Sequence, residues 1–388
     1  MPRISDNELG STVSLTVGVI GGGQLARMMI PPAVELGIGL RVLAETEASS
    51  AGLAASAIGD YRDREAVLAF ADTVDVVTFD HEHVPQVLLH ELVDRGVRVH
   101  PGPQALLYAQ DKLLMRARLA ELGLPVPDWA AVASVHDLTG FIDAHGGRAI
   151  VKTPRGGYDG KGVRVVADAR DVADWFDDDQ PLLAEELVEF RRELSQVLAR
   201  RPSGEIALWP VVESVQRDGV CAEVIAPAPH SAGRVADVAA DIATSIAENL
   251  DVTGVLAVEL FETTDDRLLV NELAMRPHNS GHWSIDGSTT SQFEQHLRAV
   301  LDLPLGATGS RDPWSVMVNV LGGVADSAHD MRLAAAMADQ PDVKLHFYGS
   351  RPDPGARWGM SRPAVPTSTT WFSGRVPQRH SLRIDTYA

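Results

Sequence analysis

The sequence predicts an α/β domain built on a parallel sheet, followed by a strand-rich α+β domain. Three observations carry this reading. Over roughly the first hundred residues, short β-branched runs alternate with segments of helical periodicity, the pattern of a parallel sheet with crossover helices. The first run passes into the glycine turn Gly21-Gly22-Gly23 and then an apolar-rich helix. From Ala149 onward strands dominate, separated by glycine-rich or acidic turns.

Composition bounds the function. The chain has 388 residues, 45% hydrophobic and 22% charged, enough for two or three domains with real cores. No apolar run reaches the length of a membrane span, and Met1 to Val13 is polar, without the design of a signal peptide, so it reads as a disordered tail. Net charge is -19 with no basic cluster, which argues against nucleic acid as partner, while anionic small molecules remain compatible with it. Cys221 is the single cysteine, so neither an internal disulfide nor a cysteine-built zinc site is available; this fits a cytoplasmic location.

Leu15 to Ile20 reads as a strand, Gly21 to Ala26 as its turn, and Arg27 to Leu36 as a helix. The spacing fits a dinucleotide fingerprint, with Glu45 after the strand Leu40 to Ala44 standing where a ribose-binding acid would lie, so an NAD enzyme is a rival reading here. Helices over Asp63 to Ala71 and Val84 to Arg95, the latter with Pro85 in its first turn, alternate with strands over Val74 to Phe79 and Val97 to Val99. Asp80-His81-Glu82-His83 follows a strand. Its metal reading lacks a third ligand nearby, and a solvated loop at the ligand-binding edge of the sheet is favoured, with Glu82 a substrate candidate. Gln110 to Leu122 reads as a helix with Lys112 in its first turn, an unhelpful place for a cation unless it faces an anion. Pro125 to Trp129 reads as a linker.

In the second domain a strand ends at Lys152, a glycine-rich loop runs through Gly156-Gly157-Tyr158-Asp159-Gly160-Lys161-Gly162, and a second strand starts at Val163. Backbone N–H groups and lysines on such a hairpin suit phosphates, although no Walker loop is present. Leu182 to Val188 reads as a strand and connector. Its Glu185 and Glu186, with Glu193 beyond, are either adenine or ribose contacts or solvent-facing acids, and Leu187 and Val188 offer backbone groups to a ring. Glu259 and Glu272 lie on successive strands joined by a turn at Asp265-Asp266. Two facing carboxylates repel in water and become ligands around Mg²⁺, which is the reason to place Mg²⁺ and ATP here. The second of these strands runs into Asn271-Glu272-Leu273-Ala274-Met275-Arg276-Pro277-His278-Asn279-Ser280-Gly281-His282-Trp283, a concentration of ionisable groups at a strand end typical of a functional site.

GGGQLARM, PRGGYDGKG, EELVEFRREL and NELAMRPHNSGHW together resemble the ATP-grasp superfamily, and within it the 5-(carboxyamino)imidazole ribonucleotide synthetase family of purine biosynthesis, over roughly residues 15 to 349. The resemblance implies ATP- and bicarbonate-dependent carboxylation of the exocyclic amine of 5-aminoimidazole ribonucleotide (AIR) by a carbon–nitrogen ligase, in a cytoplasmic homodimer. It implies a Rossmann-like domain over 14–110, an ATP-grasp domain over 111–310 and the start of a small β-rich C-terminal domain over 311–349. ATP contacts carried over by this resemblance are Lys112, Lys152, the loop Gly157 to Val163, Glu185 to Val188, Glu193, Gln216, Asn271 and Glu272. Mg²⁺ falls to Glu259 and Glu272, AIR to Gln24, Leu25, Glu82, Tyr158, Asp159, His278 and Asn279, and bicarbonate with its carboxyphosphate to Arg276. Asp159 is the implied base for the AIR amine, and Arg276 and His278 stand beside it as catalytic candidates. On this reading the first glycine turn meets AIR rather than NAD.

The resemblance breaks after Tyr348-Gly349, where the family continues with a lysine and a Gly-Arg-Lys-x-Gly-His motif. DNA encoding YGKPARPGRKMGHVT, with one A deleted from its first AAG codon, reads YGSRPDPGARWGMSR, which is Tyr348 to Arg362 as they stand. Residues 350–388 are therefore expected to be a frameshifted, disordered tail, rich in Ser, Thr, Pro and Arg, and the C-terminal domain to be incomplete.

Overall fold

A computed structural model of the chain describes residues 15–156, 162–176, 180–217, 219–321, 329–348 and 369–374. It divides into two compact units, residues 1–100 and 101–388. In the first, β1 (Thr16–Ile20), α1 (Gln24–Leu36), β2 (Gly39–Ala44), β3 (Ala55–Ile58), α2 (Arg64–Ala71), β4 (Val76–Phe79), α3 (Gln86–Asp94) and β5 (Arg98–Val99) follow one another. Their strands form one parallel sheet of order β3-β2-β1-β4-β5. Val17, Val19, Val42, Val76 and Val77 are fully buried, as strands covered on both faces require. Asp63 caps α2 by accepting from the N–H groups of Glu65 and Ala66, and Gly37, at φ 66°, ends α1 in the left-handed conformation that glycine adopts without strain. β3 was not expected, because Ala-Ser-Ala-Ile has little strand propensity and is held by pairing with β2 alone. Pro85 is the residue before α3, not a member of its first turn.

The second unit opens with α4 (Pro103–Gln110) and α5 (Lys112–Glu121), then β6 (Trp129–Val132), α6 (Val135–Ala144), β7 (Ala149–Lys152), β8 (Val163–Val166) and β9 (Leu182–Glu185). The four strands form an antiparallel sheet of order β6-β9-β7-β8. Leu138, Phe141 and Ile142 of α6 pack with Ala149, Val151, Leu182 and Ala184 of that sheet. The helix expected over Gln110 to Leu122 is α5, which starts at Lys112 because Asp111 (φ -131°, ψ 107°) is non-helical and caps it; α4 before it was not expected. Trp129 belongs to a strand, not a linker, in register with Glu185. The compact units divide at residue 100, with α4 packed on α5 in the second.

The remainder is β10 (Phe190–Arg200), β11 (Ile206–Leu208), β12 (Val212–Arg217), β13 (Val220–Ala226), α7 (Arg234–Asn249), β14 (Gly254–Thr263), β15 (Leu268–Ala274), α8 (Ser284–Gly287), α9 (Gln292–Val300), β16 (Ser315–Leu321), α10 (His329–Asp339), β17 (Lys344–Phe347) and β18 (Thr369–Gly374). The sheet runs β15-β14-β10-β12-β13-β16-β18-β17, with β11 on β10. β18 lies in the tail expected to be disordered; its six residues pair with β16 and four of them, Thr370 to Ser373, with β17. The physical reason is local. Thr-Thr-Trp-Phe has high strand propensity, and the edges of β16 and β17 offer unpaired backbone groups. The rest of residues 350–388, and the N-terminal tail 1–13, lie outside the described residues.

Candidate active site

The site is assembled where β7 and β9 of the smaller sheet, β14 and β15 of the larger one and the start of α5 come together in the second unit. The Asp111 carboxylate accepts from the N–H groups of Leu113 and Leu114, both at 3.0 Å, and takes Arg155 Nε at 2.8 Å. The Lys112 N–H donates to the Pro154 carbonyl at 2.9 Å. The entry of the glycine loop is thus tied to the N-terminus of α5. The Lys112 ammonium, ill placed for its own helix dipole, meets Glu272 Oε1 at 2.8 Å.

Lys152, at the end of β7, donates to Asn271 Oδ1 at 3.2 Å and pairs with Glu185 Oε2 at 2.7 Å. Behind it lies Arg116, fully buried, whose guanidinium pairs with Glu185 and donates to the carbonyls of Val270 (2.7 Å) and Asn271 (2.9 Å). Against the burial that would raise it, Lys152 and Arg116 hold the Glu185 carboxyl below the usual range. The Glu185 side chain therefore orients Lys152 instead of lying open to a ring. Glu186 is likewise engaged, accepting from the Asp128 N–H at 3.0 Å. Leu187 is exposed and Val188 half-buried at the mouth of this connector.

Across the larger sheet, Glu259 of β14 stands in register with Glu272 of β15, and Glu193 is on the neighbouring β10. Burial, then the carboxylates of Glu272 and Glu193, push the Glu259 carboxyl well above its ordinary value. Burial also opposes ionisation of Glu272, but Lys112 keeps that carboxyl low. Glu193 is raised by burial and hydrogen-bonded to Gln216 on β12, which itself donates to Ser214 Oγ at 3.0 Å. The cluster thus collects three cations (Lys112, Arg116, Lys152), four carboxyl groups (Glu185, Glu193, Glu259, Glu272) and two amides (Gln216, Asn271).

Beyond β15 the chain turns sharply. His278 Nε2 lies 3.4 Å from Glu259 Oε1, and its Nδ1 faces Ser280 Oγ at 2.9 Å, which meets Ser195 Oγ at 2.8 Å. Burial, followed by the nearby Arg276, lowers the His278 pKa to about 3, so its contact with Glu259 joins a neutral ring to a carboxyl group. Asn279 Oδ1 is buried without a hydrogen-bond partner among the described residues. Gly162 and Val163 close the β7–β8 hairpin, the Thr153 N–H donating to the Gly162 carbonyl at 2.9 Å; Gly157, Tyr158, Asp159, Gly160 and Lys161 lie outside the described residues.

Gln24, Leu25 and Glu82 belong to the first unit, half-buried at the C-terminal edge of its sheet. Asp80 Oδ1 accepts the Ala26 N–H at 2.7 Å, and a Cβ on Gly23 would lie 2.0 Å from Asp80 Oδ2. A carboxylate therefore already occupies the helix N-terminus where a dinucleotide would set its pyrophosphate. Glu45, the expected ribose ligand of the NAD reading, accepts instead from the Gly22 N–H at 3.1 Å. The Asp80-to-His83 stretch is a loop at that edge, half-buried over Asp80 to Glu82 and exposed at His83, with the His81 ring edge-on to Tyr61 at 4.5 Å and stacked on His83 at 5.3 Å. Among the described residues no group of three or more His, Cys, Asp or Glu side chains is placed to hold a metal ion.

Sequence reasoning missed Arg116, Asp111 and Ser195. Arg116 had a usable signal, since it lies four residues from Lys112 and so on the same helix face. Ser195 had none, because only the sheet brings it to Ser280.

Residues 14–110 match the ribonucleotide synthetase preATP-grasp domain model and residues 117–293 the ATP-grasp domain model. The N5-carboxyaminoimidazole ribonucleotide synthase of Mycobacterium tuberculosis is 51% identical over 357 residues, covering 90% of this chain and 83% of that protein. The enzyme of that name from Synechococcus elongatus is 40% identical over 371 residues, covering 94% and 93%. A crystal structure of the Aspergillus clavatus enzyme in complex with ADP and 5-aminoimidazole ribonucleotide superposes with a TM-score of 0.80 at 31% identity, over 94% of each chain. With the two-domain match, the nucleotide-type cluster of lysines and acids and a glycine turn closed to NAD, the chain belongs to the N5-carboxyaminoimidazole ribonucleotide synthase family of ATP-grasp ligases.

Proposed function

We propose that this chain carboxylates AIR to N5-carboxyaminoimidazole ribonucleotide at the expense of ATP and bicarbonate, in purine biosynthesis. The observation that carries this is the convergence of Lys112 and Lys152 on Asn271 and Glu272 at the strand end that continues into Arg276 and His278. The phosphate-binding cations thus contact the same continuous stretch that carries the residues for the carboxyl donor. Glu259 and Glu272, with Asn271 beside them, fit Mg²⁺: two crowded carboxylates, one pushed up by burial and then by its neighbours' charge, form the incomplete oxygen set that this ion would complete with phosphates and water. Bound there, Mg²⁺ would supply positive charge against the phosphates. Glu193 and Gln216 would take the nucleoside, and the segment Glu185 to Val188 its ring through backbone groups.

In the reaction a bicarbonate oxygen attacks the γ-phosphorus, ADP leaves, and Lys112 and Lys152 spread the developing charge. Arg276 holds the carboxyphosphate formed. The AIR amine attacks its carboxyl carbon, phosphate departs, and the amine proton passes to a base, the role assigned to Asp159. Gln24, Leu25, Glu82, Tyr158, His278 and Asn279 are assigned to AIR. The test is ADP formation that requires both AIR and bicarbonate; replacing AIR with glycinamide ribonucleotide and retaining turnover would point to a different carboxylate–amine ligase.

The departure after Gly349 supports a second reading, that the chain binds Mg-ATP but carboxylates poorly, because a frameshift has removed the basic residues that follow this point in the family. Sequencing of the encoding DNA decides the frameshift. Calorimetric titration of the protein as it stands against a version with the reading frame restored should show equal ATP affinity and AIR affinity recovered only on restoration; normal AIR affinity without restoration would refute it. We also infer a cytoplasmic homodimer, tested by light scattering on the eluted protein.

A further inference from the structure

We propose that Gln292 is a positioning residue for this reaction, its carboxamide setting both the path of the chain through His278 and the tautomer of His282. The proposal of a catalytic effect rests on the carboxylase reading above; the geometry does not. Gln292 is the first residue of α9, immediately after the capping Ser291, and is fully buried. Its Oε1 accepts from the His278 N–H at 2.9 Å, and its Nε2 donates to the His278 carbonyl at 2.7 Å and faces His282 Nδ1 at 2.8 Å.

These contacts leave no ambiguity in the amide. A backbone N–H can only donate and a carbonyl can only accept, so the oxygen and nitrogen of the side chain are assigned by the two groups of one residue. The side chain acts on His278 as a neighbouring strand would. The second hydrogen of Nε2 then points at His282 Nδ1, which must carry a lone pair, leaving the ring proton on Nε2.

The backbone of Gln292 extends the clamp. Its N–H donates to Ser284 Oγ at 2.9 Å, and that hydroxyl donates to the Gly281 carbonyl at 2.6 Å. A Cβ on Gly281 would stand 2.3 Å from Gln292 Oε1, so the turn closes directly onto the amide. One residue remote in sequence therefore holds both ends of the turn that carries His278 and Asn279. His278 is in turn packed against Glu259 and, through Ser280, against Ser195. Freeing the His278 peptide lets the ring shift by a distance that matters for a positioned reacting group.

Gln292→Met preserves length and removes all three side-chain hydrogen bonds; Gly281→Ala keeps the amide and displaces it. Nitrogen-15 spectra of the histidine side chains should show His282 as the Nε2–H tautomer in the wild type and as a mixture in both variants. In steady-state assays both variants should keep the wild-type KM for ATP, lose roughly ten- to a hundredfold in AIR carboxylation and release more ADP than carboxylated product. A purely structural role predicts a lower melting temperature with tautomer and coupling ratio unchanged in the folded protein, and that outcome overturns the proposal, as does an unchanged His282 spectrum. Should the wild type show no AIR-dependent turnover, the carboxylase reading fails while the tautomer measurement still judges Gln292.

Discussion

Arg116 makes no contact that a surface reading of the site would notice, yet it fixes three groups that matter. It neutralises Glu185, which orients Lys152, and it donates to the carbonyls of Val270 and Asn271 on the strand that presents Glu272. Removing one member of a buried charged network strands the others. Arg116→Met is expected to lower unfolding free energy by about 3–5 kcal/mol in denaturant titration, and to raise the KM for ATP in whatever protein remains folded. A loss under about 1 kcal/mol would show that Lys152 alone suffices for Glu185. Arg116→Lys should rescue only part of the loss, since an ammonium cannot reach two carbonyls and a carboxylate in the planar geometry of guanidinium.

At the scale of an element, the turn after β15 is built for neutral histidines. Burial is the main cause, with Arg276 adding to it, and both His278 and His282 are lowered to about 3 from the ordinary 6.5. Between these values the unfolded chain binds protons that the folded turn refuses. The stability associated with each ring is complete above pH 6.5 and falls as pH drops toward 3, by about 1.4 kcal/mol per pH unit per histidine. His282→Asn keeps an acceptor for Gln292 and removes one such ring. The difference in unfolding free energy between wild type and this variant should shrink by about that slope between pH 6 and pH 5; a difference independent of pH would mean that His282 titrates normally in the fold. The strand itself was legible from Leu268-Leu269-Val270, and its functional end from the density of polar groups after it. The pairing of Glu259 with Glu272 was legible from two runs and an acidic turn. That Gln292 closes the turn was not, because hydrogen bonds across fourteen residues leave no periodic trace.

For the molecule as a whole, the described nucleotide-type residues all lie in the second unit, whereas Gln24, Leu25 and Glu82 lie in the first. Mg-ATP at a hundredfold excess over its Kd should stabilise the second unit by about 2.7 kcal/mol. Hydrogen exchange should slow in β7, β9, β14 and β15 and stay unchanged over residues 15–100; protection confined to the first unit would reverse the assignment of nucleotide and substrate. The tail also belongs to this scale. Composition argues for disorder after Gly349, while β18 pairs into the sheet for six residues, because two strand edges supply partners that composition cannot register.

Sequence by itself determined the division into a parallel α/β unit and a strand-rich unit, most strand positions, the glycine hairpin after Lys152, and the concentration of ionisable groups from Asn271 to His282 at the end of a strand. These are properties of local order, where period, turn residues and residue type act within a few positions. Tertiary structure decided what each group faces. It put the Asp80 carboxylate on the helix N-terminus that the glycine turn had left open to an NAD reading, turned Glu185 inward to Lys152 and Arg116, and placed Gln292 behind His278. Those outcomes depend on contacts between residues distant in the chain, and a buried polar group must be satisfied by whatever partner the packing brings to it.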